Sequence, residues 1–229
     1  MTPAAQSLRI GGLTPMTTID YPGELAAVVF CQGCPWRCRY CHNGHLLPPE
    51  SEHQIPWSDM CAFLEKRTGL LDALVFSGGE PTLQAALPAA VKEARSMGFK
   101  IGLHTAGPYP DRLRRLLPFI DWVGLDIKAL PAGYPAVTGV PDSGERAWES
   151  LALLLDAGIA LQVRTTVLPG WRDEPDLRPL ADRLAAIGVR NHVLQRCRTE
   201  STLDPRLGTA GNPLSPRPLE PRIDTNSHE

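Results

Sequence analysis

Short apolar runs separated by amphipathic stretches recur along most of the chain. The apolar runs predict buried strands at residues 25–31, 73–76, 99–104, 122–127, 159–168 and 192–196. Between them, apolar residues at helical spacing predict helices at residues 57–67, 84–97, 111–117, 145–157 and 176–187. This alternation is typical of βα units, which build a parallel sheet with helices packed against it.

The number of units sets the expected size of the sheet. About six units fit between residues 25 and 198, whereas a complete eight-fold barrel needs about 250 residues. We therefore predict an α/β fold, an open (β/α)6 partial TIM barrel formed by residues 25–206. Residues 1–24 are expected to form a cap that contains a short β-ribbon, and the proline-rich residues 207–229 a flexible tail.

Composition narrows the class of protein. The chain has 229 residues, of which 43% are hydrophobic, enough for one core and one main domain. A formal net charge of −2 gives no electrostatic reason to expect nucleic acid or an anionic membrane as a partner. No apolar run approaches the length of a membrane span, and the first residues do not resemble a signal peptide. We expect a soluble, cytoplasmic protein.

The most informative motif follows the first predicted strand. Cys34, Cys38 and Cys41 have the spacing C-x3-C-x2-C, and Tyr40 stands just before the last cysteine. Three thiolates from one loop can hold three irons of a [4Fe–4S] cube, whereas closed clusters take four cysteines. The fourth iron is then free to bind a small molecule, and an open coordination site usually marks a reactive metal centre.

Other uses of these cysteines have to be considered. With Cys31 added, the loop contains two C-x2-C pairs, as a four-cysteine zinc site does. Structural zinc sites, however, usually separate their two pairs by a dozen or more residues. A disulfide framework does not suit a chain of this length with no secretory segment. Cys31 ends an apolar run, where a small buried hydrophobic residue is expected.

The cysteine loop resembles the signature of the radical S-adenosylmethionine (SAM) enzymes. The resemblance implies a [4Fe–4S] cluster on Cys34, Cys38 and Cys41, whose unique iron binds the amino and carboxylate groups of SAM. Reduction of the cluster then cleaves SAM to methionine and a 5′-deoxyadenosyl radical, which abstracts a hydrogen atom. The resemblance also implies that Tyr40 lies against the adenine and that the fold is a partial barrel.

Further candidate residues follow the later strands, where ligands of such sheets bind. Residues 78–80 match the family's Gly-Gly-Glu motif, which implies that Gly78, Gly79 and Glu80 bind the methionyl ammonium of SAM. Residues two apart on a strand share a face, so Asp126 and Lys128 are predicted to project together. They resemble the D-x-K segment whose side chains contact SAM in glycyl radical enzyme activases. Arg164 is a candidate for the SAM carboxylate or for a structural ion pair.

The leader at residues 11–23 resembles that of anaerobic ribonucleoside-triphosphate reductase activating proteins, a subgroup of these activases. This resemblance implies that the chain abstracts a hydrogen atom from a glycine of a partner glycyl radical enzyme. The partner would bind transiently, and a flavodoxin- or ferredoxin-type protein would supply the electron. No inserted segment carries extra cysteines after the loop, so one cluster is expected.

Two alternatives remain open from the sequence. A short radical SAM enzyme can act on a small molecule, as the 7-carboxy-7-deazaguanine synthases do, or can modify another peptide. A non-enzyme, either a closed Fe–S electron carrier or a four-cysteine zinc protein, would use Cys31 as a fourth ligand. The chain also departs from the activase pattern, because His104 to Gly107 reads His-Thr-Ala-Gly where related activases often have Asp-Thr-Asn-Gly. Cys197 ends the last predicted strand and fits either the core or the site.

Overall fold

The fold was analysed in a computed structural model, which describes residues 2–167, 177–198 and 202–209. Its strands are β1 (Ile10–Thr17), β2 (Ala26–Cys31), β3 (Ala73–Gly78), β4 (Lys100–Thr105), β5 (Trp122–Asp126), β6 (Ala160–Val167) and β7 (His192–Arg196). Its helices are α1 (Pro3–Gln6), α2 (Trp57–Glu65), α3 (Leu87–Ser96), α4 (Pro110–Leu116), α5 (Tyr134–Thr138), α6 (Ser143–Asp156), α7 (Leu177–Ala186) and α8 (Arg206–Thr209). Single 3-10 turns lie at Gly44–Leu46, Pro81–Leu83, Leu117–Phe119 and Pro131–Gly133.

The strands form one sheet whose spatial order follows the chain, β1-β2-β3-β4-β5-β6-β7. Strands β2 to β7 pair in parallel, and β1 pairs antiparallel with β2. Within the described residues, β1 and β7 do not pair with each other, so the sheet does not close. This confirms the predicted open (β/α)6 partial barrel and its N-terminal β-ribbon.

Successive side chains of each strand point to opposite faces of the sheet, and this separates two apolar layers. Ala27 and Val29 of β2 belong to the large cluster that the helices cover, whereas Ala26 and Val28 belong to a small second cluster. The second cluster fills the concave side of the sheet and consists of Tyr21, Ala26, Val28, Ala73, Val75 and Trp122. The Tyr21 and Trp122 rings stack there with centroids 5.2 Å apart. The residues that follow β1 therefore pack into the interior of the barrel.

Several predicted bounds differ from the structure for local reasons. The helix predicted from residue 84 begins at Leu87, because Gln84 is extended and its amide bonds Arg9 O and Gln32 O. Helix α5 was not predicted, since two prolines frame it, and it ends at Gly139 in the left-handed conformation (φ 72°).

The predicted tail at 207–229 lies mostly outside the described residues, and its first residues belong to α8. The end of the fifth predicted strand and the start of the helix at 176–187 also lie outside them. Across the part of the chain that the structure describes, no helix is both long and apolar enough to cross a bilayer.

Candidate active site

The cysteine loop is held by main-chain hydrogen bonds on several sides. Cys41 N donates to Cys38 O at 2.9 Å, which closes a four-residue turn around two of the three cysteines. Arg37 N and Arg39 N donate to the carbonyls at the end of α5, at 3.0 and 3.1 Å. Cys34 N donates to Leu47 O at 3.2 Å. The three candidate ligands thus stand on an anchored loop.

Two glycines join the end of β3 to this loop. Gly79 N donates to Cys31 O and Glu80 N to Gly33 O, both at 2.9 Å, so strand pairing continues past the end of the sheet. A Cβ on Gly79 would lie 2.3 Å from Gly33 O, and one on Gly78 would lie 2.4 Å from Cys31 N. Gly78 also has a φ of 112°, which side chains disfavour. Both positions therefore require glycine for close backbone approach.

The Glu80 carboxylate is 1% exposed and hydrogen-bonded through both oxygens. Oε1 accepts from Thr82 N at 3.0 Å, from the Thr82 hydroxyl and from the Thr105 hydroxyl at 2.8 Å. Oε2 accepts from Ala106 N at 3.0 Å, which leaves it capacity for one more donor. Burial raises the pKa of Glu80 and these hydrogen bonds offset only part of that effect. A cation beside Oε2 would stabilise the ionised form.

Asp126 ends β5 and lies beside Lys128, as the strand pattern predicts, and Arg164 of β6 joins them. The Arg164 guanidinium donates to Asp126 Oδ1 at 2.9 Å, and Lys128 Nζ lies 3.5 Å from Asp126 Oδ2. The Arg164 and Lys128 cations lower the pKa of Asp126 against the effect of burial. Arg164 thus makes an ion pair with Asp126, and its contact with the SAM carboxylate stays a prediction.

Lys128 connects this group to the cysteine loop. Its ammonium lies 5.4 Å from the centroid of the Tyr40 ring, a cation–π contact, and the side chain is 7% exposed. The Tyr40 hydroxyl is buried and has no hydrogen-bond partner among the described residues. A buried ammonium with one long ion pair and a buried hydroxyl without a partner are both able to bind a ligand.

Burial shapes the chemistry of the three thiols. It raises the pKa of Cys34 to about 12 and raises those of Cys38 and Cys41 as well. The Lys128 charge opposes this rise at all three sulfurs. Thiolates in this loop need a positive centre beside them, which is what bound iron provides.

His104 lies in the barrel interior below these residues. Its Nε2 is 2.8 Å from Asp20 O and its Nδ1 is 3.3 Å from Ser77 Oγ, while its ring packs edge-on against Trp122. Because a carbonyl only accepts, Nε2 carries the proton and Nδ1 accepts from the Ser77 hydroxyl. Burial, together with the nearby Arg164 charge, lowers the pKa of His104 to about 4. The side chain is neutral and fixes the residues that follow β1.

The remaining cysteines are buried, as Cys38 of the loop is. Cys31 and Cys61 are buried in the large apolar cluster, and Cys197 is buried with its thiol 3.4 Å from Arg198 O. Within residues 2–167, 177–198 and 202–209, no three His, Cys, Asp or Glu side chains are grouped so as to hold a single metal ion. His42 and His53 lie in loops and are exposed.

Comparison with known proteins decides the family. The family model of the Radical SAM superfamily matches residues 28–178, which contain the cysteine loop, the Gly-Gly-Glu motif and the Asp126–Arg164 group. The chain belongs to this superfamily. Radical SAM proteins use a [4Fe–4S] cluster and SAM, so these are the cofactors of this chain.

Relatives place the chain within the superfamily. It is 31% identical over 179 residues to a protein of Methanocaldococcus jannaschii whose name assigns it to the glycyl-radical enzyme activating enzymes, covering 75% of this chain and 73% of the relative. It is 30% identical over 182 residues to a pyruvate formate-lyase-activating enzyme of Clostridium pasteurianum, covering 76% and 75%. This radical SAM protein therefore belongs to the activase group.

Solved structures agree in fold. Streptococcus suis SuiB bound to S-adenosylmethionine superposes with a TM-score of 0.61 at 15% identity, covering 78% of this chain and 44% of SuiB. The radical SAM fold of the chain is thus shown by structure as well as by sequence.

The residues of the loop fit the cluster that the family uses. Three free cysteines on one anchored loop provide the thiolates, and Lys128 supports their ionised form. Polar groups able to bind a ligand accompany them. These are the Gly78–Gly79 backbone, the Glu80 Oε2 atom, which can accept one more donor, and the Tyr40 hydroxyl, which has no hydrogen-bond partner in the described part of the chain. The sequence did not identify Thr82 and Thr105, which orient Glu80, because a lone threonine carries no motif.

Proposed function

We propose that this protein installs a glycyl radical in a partner enzyme, by abstracting a hydrogen atom from a backbone glycine. The similarity to activating enzymes over about three quarters of the chain carries this proposal. The leader at residues 11–23 supports an anaerobic ribonucleoside-triphosphate reductase as the partner. We further propose a cytoplasmic location, with a flavodoxin- or ferredoxin-type electron donor.

We assign the cofactors to the residues that sequence and geometry bring together. Cys34, Cys38 and Cys41 would hold the cluster, which supplies the electron that cleaves SAM. Glu80, with Gly78 and Gly79, would bind the SAM ammonium through its spare Oε2 lone pair. The positive charge so bound offsets the cost of burying the carboxylate.

Lys128, Tyr40 and Arg164 have complementary tasks in this proposal. Tyr40 would lie against the adenine of SAM, and the Lys128 ammonium would bind an acceptor group of SAM, since its ion pair with Asp126 is long. Arg164 would act through Asp126, which it holds in place beside Lys128. The open side of the barrel would admit the glycine-bearing loop of the partner.

The test uses anaerobically reconstituted protein with SAM, a reductant and the host's anaerobic ribonucleotide reductase. We expect a [4Fe–4S]+ electron paramagnetic resonance (EPR) signal that changes on adding SAM, followed by a glycyl radical doublet on the reductase. The matched controls are Cys38→Ser in the activase and Gly→Ala at the radical site of the partner, both of which should abolish the doublet. A doublet on pyruvate formate-lyase instead would reassign the partner. No doublet on any glycyl radical enzyme of the host would overturn the proposal.

A further inference from the structure

A segment beyond the last strand reaches back to the cysteine loop. Asp204 N donates to Arg39 O at 2.9 Å, and Arg39 donates from Nε and an NH2 group to Asp204 Oδ2 at 3.0 and 2.8 Å. The two residues are 165 positions apart in the chain. The contact joins the segment that follows β7 to the loop that follows β2.

The position of Arg39 makes this contact informative. Arg39 and Tyr40 are the two central residues of the turn that Cys41 N closes onto Cys38 O. On one side of the turn, Arg39 N donates to Val137 O of α5 at 3.1 Å. On the other side, the Arg39 carbonyl and side chain are both bonded to Asp204. The turn that carries two of the cluster cysteines is therefore held from both sides.

Asp204 is itself well fixed. Its side chain is 8% exposed, and Arg206 donates to it from the main chain at 3.1 Å and from the guanidinium at 2.8 and 3.0 Å. The Arg206 and Arg39 guanidinium groups hold the pKa of Asp204 well below its usual range. The neighbouring Leu203 packs against Gly44, where a Cβ would lie 3.0 Å from its Cδ2. The Asp204 carboxylate is therefore ionised, and contacts other than those with Arg39 also hold it in place.

We propose that Asp204 is a positioning residue for the iron–sulfur centre, which it serves by holding Arg39 and thereby the turn between Cys38 and Cys41. The inference rests on the proposed ligands Cys34, Cys38 and Cys41. Three thiolates must converge on one cube, so the shape of this turn decides whether two of them reach it together. Asp204 acts through Arg39 and touches no cluster ligand side chain.

The test compares iron retention in five variants of the full chain after anaerobic reconstitution: D204N, D204A, R39A, R39A/D204A and R95A. We expect D204A and R39A to release iron to a chelator about threefold to tenfold faster than the wild type. The double variant should be no faster than the faster single one, because the two side chains form one interaction. D204N should be intermediate, since its amide oxygen can still accept a hydrogen bond from the Arg39 guanidinium.

The matched control is R95A, which removes a half-exposed arginine of α3 from its ion pair with Asp121, just before β5. It should retain iron as the wild type does. The reduced D204A protein should also give a broadened EPR signal with a smaller response to SAM, a change that a purely structural role would not produce. If D204A does not fold, R39A still tests the proposal. It removes the other partner of the same interaction, and its half-exposed side chain can be truncated without opening a buried cavity.

The outcomes separate this inference from the proposed function. Wild-type iron release in R39A and D204N, additive effects in the double variant, or equal lability in R95A would each overturn the role of Asp204. A Cys38→Ser variant that keeps a SAM-responsive cluster would instead overturn the ligand assignment on which the inference rests.

Discussion

His104 holds two neighbours through its two ring nitrogens, and both bonds require the neutral imidazole in one tautomer. Nε2–H donates to Asp20 O at 2.8 Å, and Nδ1 faces the Ser77 hydroxyl at 3.3 Å. Gly124 makes room for the ring, because a Cβ there would lie 3.0 Å from His104 Cδ2. Where related activases often have Asp, this chain uses a neutral ring that pins the segment after β1 into the barrel.

The lowered pKa predicts a particular acid sensitivity. Since the pKa of His104 falls from about 6.5 to about 4, the unfolded chain binds its proton before the folded protein does. The stability that His104 contributes is complete above pH 6.5 and is lost as the pH falls toward 4. We expect His104→Gln to flatten the pH dependence of the free energy of unfolding in that window, by up to about 3 kcal/mol. Urea unfolding of the apo protein between pH 7.5 and 4.5 measures it.

The control for this measurement is His53→Gln, which changes an exposed loop histidine. Its stability curve should follow that of the wild type. Parallel curves for wild type and His104→Gln would show that the ring titrates normally in the folded protein.

At the scale of elements, the end of β3 and the cysteine loop behave as one unit. Gly78 and Gly79 bring the two backbones together, and Glu80 N then donates to Gly33 O just before the first proposed ligand, Cys34. The same segment therefore places the proposed SAM-binding carboxylate and braces the proposed cluster loop. A substitution of either glycine should therefore affect both the carboxylate and the loop.

We expect Gly79→Ala to destabilise the protein by about 3 kcal/mol or more and to abolish cluster loading. The added Cβ would lie 2.3 Å from Gly33 O, so the backbones must separate. Iron content after reconstitution and thermal unfolding of the apo protein check this. Gly12→Ala is the matched control, because its Cβ would meet Phe30 at an ordinary 3.6 Å. Normal iron content in Gly79→Ala would show that the loop does not need this approach.

The elements also show what the sequence could predict. The six parallel strands were recognisable because each is a short apolar run, and the cysteines, Gly78–Glu80, Asp126 and Lys128 because spacing or strand alternation groups them. The short helix α5 was missed because proline and glycine obscure its pattern. The Arg39–Asp204 bond joins residues 165 positions apart, and no local pattern indicates a pair at that distance.

At the scale of the whole molecule, the barrel is open between β1 and β7. Val193 of β7 pairs in register with Arg164 of β6, so both side chains point to the concave face. Val193 is 36% exposed, and the next residue, Leu194, is 52% exposed. The edge of the sheet that borders the opening thus presents apolar side chains.

We expect Val193→Glu to raise the KM for the partner enzyme roughly fivefold to tenfold, because a charge replaces an apolar contact on the face that would receive the substrate loop. Cleavage of SAM without the partner should stay unchanged. Leu70→Glu, at a position 63% exposed in the turn after α2, is the matched control and should leave both activities unaltered. Equal KM values for wild type and Val193→Glu would place the entry of the partner elsewhere.

The match between spatial order and chain order has a consequence for biosynthesis. Because each strand of the sheet lies beside the one made just before it, the sheet can grow by one strand at a time as the ribosome delivers the chain. The cysteines emerge early, whereas Asp204 emerges after all seven described strands. A nascent chain would therefore expose its proposed iron ligands long before Asp204 can hold their turn, so stable metallation should be among the last events of maturation.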